Sequence, residues 1–123
     1  MKILIADDSK LIRERLIKLL SGYNQIELIE QAGNVSETID VFNKLLPNVV
    51  ILDIQMPDGT GMDVLKAIEN NEYTPTVIIL TNHPYPNYRK SYIEAGADYF
   101  FDKSTEFKKV KEVFNDLFLT GTS

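Results

Sequence analysis

An α/β fold built as (βα)5, with one parallel sheet of five strands, is what this sequence predicts, on three observations. Short apolar runs alternate with stretches of helical periodicity five times along 123 residues. The runs Ile3-Leu4-Ile5-Ala6, Val49-Val50-Ile51-Leu52 and Thr76-Val77-Ile78-Ile79-Leu80 are apolar almost throughout, as strands buried on both faces must be. The connections are short, which places helices on both faces of the sheet with right-handed crossovers.

Each element has a local reason. After the first strand, Ile12, Leu16, Leu19 and Leu20 recur at helical spacing, and Gly22 is expected to stop that helix. Ile26-Glu27-Leu28-Ile29-Glu30 reads as a strand with acidic positions, which fits a sheet edge. Asn34 with Glu37 three residues on begins a second helix, its stripe Val35, Ile39, Phe42 and Leu46, ended by Pro47. The third strand runs into Asp53, and Met56-Pro57 with Gly59 and Gly61 predicts a loop. Thr60 then caps a helix carrying Met62, Leu65 and Ile68. The fourth strand ends at Thr81, and a short helix follows through Tyr88, Tyr92 and Ala95 to Gly96. Tyr99-Phe100-Phe101 is the last strand, and Phe107, Val110, Phe114 and Leu117 mark the last helix. One domain is expected over 1–119, followed by a polar tail at 120–123.

Composition narrows the function. A net charge of −5 argues against a nucleic-acid-binding face and suits a protein that binds a cation. There is no cysteine and one histidine, which excludes thiolate and His-cluster metal sites. No apolar run is long enough to span a membrane, and no secretory signal is read, so the expected location is cytoplasmic.

The strand ends carry the chemistry. Four of the five strands end in reactive types: Asp7 and Asp8, Asp53, Thr81, and Lys103. In the flavodoxin-like order 2-1-3-4-5 these converge on one end of the sheet, and the second strand, which offers nothing comparable, lies at the edge. Three carboxylates together repel unless one is protonated or a cation is held. Magnesium takes oxygen ligands of this kind. A carboxylate can act as a nucleophile and form an aspartyl phosphate. Lys103 is a point charge suited to phosphate, and the Thr81 hydroxyl can donate to a phosphate oxygen. The set suits phosphoryl transfer to Asp53.

Asp7-Asp8, the run Leu52-Asp53-Ile54-Gln55-Met56-Pro57-Asp58-Gly59-Thr60-Gly61-Met62, Thr81, Ala95-Gly96-Ala97-Asp98 and Lys103 together resemble a response-regulator receiver domain over nearly the whole chain. The resemblance implies that Asp53 accepts a phosphoryl group from a sensor histidine kinase or phosphotransfer protein. It implies that Asp8, Asp53 and the backbone carbonyl of Gln55 hold Mg2+ (or Mn2+), with Asp7 assisting through water. Thr81 and Lys103 would contact the phosphoryl oxygens, and Phe100, three before Lys103, stands where the family has its switch aromatic. Phosphorylation would then repack the face of the fourth helix, fifth strand and fifth helix toward an output domain, a target protein or a second copy. Tyr85, Tyr88 and Tyr92 supply aromatic area near that face, and Arg89, Lys90, Lys108, Lys109 and Lys111 frame it.

Three departures stand out. Ser104 replaces the proline that often follows the lysine, favouring a trans bond. Asn82 replaces a small residue, and Phe100 has no hydroxyl. Gln55, Asn82 and His83 are placed to tune access of water to the phosphorus, and Asn82 is expected to slow self-hydrolysis. A haloacid-dehalogenase-type phosphatase would need an acid where Gln55 stands, and a nucleotide binder would need a phosphate loop where Asp7-Asp8 stands. The chain ends just after the fifth helix, so a stand-alone receiver, or the receiver piece of a longer protein, is expected.

Overall fold

The computed structural model describes residues 1–119, and the polar tail expected at 120–123 lies outside the described residues. The elements in chain order are β1 (Lys2–Ala6), α1 (Lys10–Leu20), β2 (Leu28–Ala32), α2 (Val35–Leu45), β3 (Val49–Leu52), β4 (Gln55–Met56), β5 (Gly59–Thr60), α3 (Gly61–Glu69), β6 (Thr76–Thr81), α4 (Pro86–Glu94), β7 (Tyr99–Asp102) and α5 (Lys109–Leu119). Five strands form one parallel sheet in the order β2-β1-β3-β6-β7. This is the expected 2-1-3-4-5 order, because β4 and β5 pair only with each other.

Alternate residues of the central strands point to opposite faces, and the core divides accordingly. Leu4, Val50, Leu52, Val77 and Ile79 pack under Phe42, Val64, Leu65 and Tyr92 of α2, α3 and α4. Ile3, Ile5, Ile51, Ile78 and Leu80 pack under Leu16, Leu20, Val110 and Phe114 of α1 and α5. Register brings the strand ends level. Ala6 lies opposite both Ala32 and Leu52, and Thr81 lies opposite Asp102. The ladder runs one step further, with Asp53 N–H donating to Ala6 O at 2.9 Å and Lys103 N–H to Thr81 O at 2.7 Å.

Several expectations are corrected. β2 begins two residues later than its sequence pattern predicts, because pairing with β1 sets its register from Leu28. Ser21, rather than Gly22, closes α1, its hydroxyl donating to Lys18 O at 2.8 Å. Leu46 leaves the α2 stripe: it takes a left-handed backbone (φ 49) before Pro47 and is exposed. Phe107 precedes α5 and packs under the Arg15 guanidinium, 4.5 Å from its ring centroid. The Lys103–Ser104 bond is trans, as expected.

The loop after Asp53 is also more ordered than the proline and glycines imply. Gln55 and Met56 pair antiparallel with Thr60 and Gly59, and Pro57-Asp58 make the turn. The Asp58 carboxylate then accepts from Val35 N–H at 2.6 Å and Ser36 N–H at 3.0 Å, so it caps α2 from outside that helix. The bonds from Ser36 and Val35 hold its carboxyl below the usual range. A depressed pKa contributes stability above the unfolded value of about 3.9, lost as pH falls through the folded value. Asp58→Ala is therefore expected to speed hydrogen exchange at the Val35 and Ser36 amides several-fold at neutral pH. The wild type should lose that protection only in acid.

Candidate functional site

Three buried charges meet at the carboxyl end of the sheet. Lys103 Nζ lies 2.7 Å from Asp7 Oδ2 and 3.2 Å from Asp53 Oδ2. All three residues are at most 8% exposed, so water screens them little. The second oxygens are also held. Asp7 Oδ1 accepts from Ser9 N–H at 2.8 Å, and Asp53 Oδ1 accepts from Ile54 N–H at 2.7 Å. Burial pushes the Asp53 carboxyl above its ordinary value, against the lowering charge of Lys103 and with further raising by Asp7. Burial alone would lower Lys103, but its bond to Asp7 and the charges of Asp53 and Asp7 outweigh this and raise it.

Asp8 completes an acidic group. One carboxylate oxygen from each of Asp7, Asp8 and Asp53 lies within 4.8 Å of the others, with Asp8 exposed and its neighbours buried. The donors are all oxygen, which suits a hard divalent cation. Burial is the main cause of the raised Asp53 carboxyl, and the Lys103 charge acts against it more strongly than Asp7 adds to it.

A cleft of about 420 Å³ opens over the group. Asp8, Asp53, Gln55, Asn82, His83 and Lys103, all singled out from sequence, line it. Asp7 and Thr81 do not. Asp7 is turned into its pair with Lys103, and Thr81 is fully buried, its hydroxyl accepting from His83 N–H at 2.9 Å. Phe100 is buried on the other face of β7, its ring 6.2 Å from that of Tyr92. Ser9, Ile12, Arg15 and Ser104 also line the cleft. The signal for the first three was available, since positions 9, 12 and 15 share one helix face. Ser9 caps α1, accepting from Ile12 N–H at 3.3 Å.

Chemically the cleft presents an ionisable carboxylate oxygen, a lysine cation in contact with it and an acidic oxygen group that could hold a metal ion. That combination serves attack on an electrophile carrying negative charge.

The family model described as the response regulator receiver domain matches residues 3–115. The chain is 35% identical over 117 residues to the transcriptional regulatory protein BtsR of Salmonella typhi, covering 94% of this chain and 47% of that protein. It is 32% identical over 123 residues to protein-glutamate methylesterase/protein-glutamine glutaminase 4 of Hahella chejuensis, covering 94% of this chain and 31% of that protein. The chain thus spans about half, or less, of these curated relatives. A crystal structure of a LuxR-family DNA-binding response regulator from Staphylococcus aureus superposes with a TM-score of 0.84 at 28% identity, covering 94% of this chain and 97% of that one.

Proposed function

The chain belongs to the response regulator receiver domain family, and from that premise we propose that it is a phosphorylation-controlled signalling switch with Asp53 as acceptor. The observation that carries this reading is the placement of Asp53. It closes the central strand β3, opens to the cleft and touches Lys103. An Asp53 oxygen attacks phosphorus, the bond from phosphorus to the donor's histidine breaks, and an acyl phosphate forms. The donor is a sensor histidine kinase or a phosphotransfer protein. Lys103 is already in contact with Asp53 and can pass to a phosphoryl oxygen. Asp8, Asp53 and the backbone carbonyl of Gln55, with Asp7 through water, would hold Mg2+ (or Mn2+). When bound, the ion supplies charge that offsets the carboxylates and the incoming phosphoryl group.

The output depends on the surroundings of Thr81. Turning its hydroxyl toward phosphate gives up the bond from His83 N–H. The β6–α4 loop and α4 then shift, repacking the α4–β7–α5 face toward an output domain, a target protein or a second copy. Phe100, buried against Tyr92, turns into the space that Thr81 leaves. The chain itself acts as a signalling domain with slow self-dephosphorylation, Gln55, Asn82 and His83 setting access. No described helix is long and apolar enough to cross a membrane, and a cytoplasmic location is part of this proposal.

The test is intact mass after incubation with acetyl phosphate and Mg2+. One phosphate adduct is expected on the wild type, and none on Asp53→Asn or with chelator present. An adduct that survives either change would contradict the assignment.

A further inference from the structure

Tyr92 behaves differently from the tyrosines near it. Tyr85 and Tyr88 are 55% and 39% exposed, whereas Tyr92 is 4% exposed and faces the Asp53 loop. Its hydroxyl accepts from Met62 N–H at 3.1 Å. Met62 is in the first turn of α3, so this amide has no acceptor within its own helix. Beside it, Gly61 N–H donates to Ile54 O at 2.7 Å and closes the loop that begins at Asp53. The same glycine is pressed from two sides. A Cβ built there would lie 2.7 Å from Asp53 O and 3.2 Å from Tyr92 Cε2.

The other side of Tyr92 bears on the proposed output face. Its ring packs at 6.2 Å from the Phe100 ring. Arg89, three residues earlier on α4, donates from Nη1 to Phe100 O at 3.0 Å. One side chain of α4 therefore touches the closure of the Asp53 loop, the start of α3 and the buried aromatic of β7.

We propose that Tyr92 is a positioning residue that couples the Asp53 loop to α4 through its hydroxyl on Met62 N–H and its ring on Gly61 and Phe100. A shift of the loop at Asp53 is passed to α4. By reciprocity, a partner seated on α4 alters how readily Asp53 is modified. This rests on Asp53 being the phosphoacceptor.

The test compares the wild type with Tyr92→Phe, which keeps the ring and removes the hydroxyl. Met62 amide exchange is measured without phosphate, adduct yield by intact mass with acetyl phosphate, and amide shifts with beryllofluoride. Tyr92→Phe is expected to exchange the Met62 amide about five-fold faster, the factor that loss of one ordinary hydrogen bond gives. It should reach the wild-type adduct level and shift residues 53–60 as the wild type does. It should lose at least half of the shift at residues 89–94. A merely structural role would lower the thermal midpoint without changing the ratio of α4 shift to loop shift within one sample. Tyr92→Leu, lacking the ring as well, should lose more of that ratio than Tyr92→Phe. A full α4 shift in Tyr92→Phe, or unchanged Met62 exchange, would overturn the coupling alone. A wild type that takes no adduct would overturn the phosphoacceptor reading and this proposal with it.

Discussion

Lys103→Met is expected to lower stability by about 3 kcal/mol at neutral pH, the lower end of the cost of removing one partner from a buried charge pair. The reason is local. Lys103 is the cation in contact with both Asp7 and Asp53, at 2.7 and 3.2 Å, and all three are buried. Methionine fills similar volume but leaves two carboxylates facing each other. The two shifted groups set the sign with pH. Asp53 is already raised by burial, so the folded state favours its proton, and its effect on stability worsens as pH rises from the unfolded value through the folded one. Lys103 is raised, so its contribution is present below its unfolded value and lost only as pH rises through the folded one. Between these windows the wild type keeps its lysine charge while the variant must ionise unpaired carboxylates. The deficit should shrink as pH falls toward the carboxylate range, where a proton replaces the lysine. Urea unfolding at several pH values checks this. Adding Asp53→Asn to Lys103→Met should recover part of the loss, because one buried charge is then gone. A deficit below about 1 kcal/mol at neutral pH would show that the pair is no stronger than an exposed one.

Gly61→Ala is expected to destabilise by about 2 kcal/mol, within the usual cost of overpacking, and to slow adduct formation at least about ten-fold. The added Cβ would sit 2.7 Å from the backbone oxygen of Asp53 and 3.2 Å from Tyr92 Cε2. A flexible side chain could swing away, but the Asp53 carbonyl belongs to the loop that positions the nucleophile. Relief comes only by moving Asp53, Gly61 or both, which opens the Gly61 N–H to Ile54 O bond. Gly22→Ala is the control, since nothing lies within 4 Å of a Cβ there. It should fall within about 0.5 kcal/mol of the wild type. Thermal unfolding and the acetyl phosphate reaction check both variants. A Gly61→Ala protein as stable and as reactive as the wild type would mean that the loop has slack the packing does not show.

The features legible in the sequence were those that depend on residues close in the chain or on burial on both faces. Val49-Val50-Ile51-Leu52 and Val77-Ile78-Ile79-Leu80 can only be central strands, and strand order then comes from the edge character of the second. Asp53 directly follows β3, Lys103 directly follows β7 and Asp8 stands two residues past β1, so the strand ends alone bring all three to the cleft they line. The misplacements share a cause. The stretch around β2 has apolar residues at 26, 28 and 29, so its own pattern does not select a register, and pairing with β1 decides it. Asp58 looks like a turn residue because its partners, Val35 and Ser36, are more than twenty positions away. Thr81 ends its strand as expected, yet a local bond from His83 N–H keeps it below the cleft. Tyr92 shares a helix with Tyr88, and only packing against Gly61 and Phe100 separates them.

The most direct measurement is to trap the modified carboxylate where it forms. Borohydride reduces an acyl phosphate, releasing phosphate and leaving homoserine in place of the aspartate. The protein is treated with acetyl phosphate and Mg2+, reduced and mapped by peptide mass spectrometry. Homoserine at position 53 and nowhere else, absent when the cation is chelated, is the expected result. A reduced residue at Asp7, Asp8 or any other carboxylate, or phosphate carried on His83 with position 53 unmodified, would contradict it.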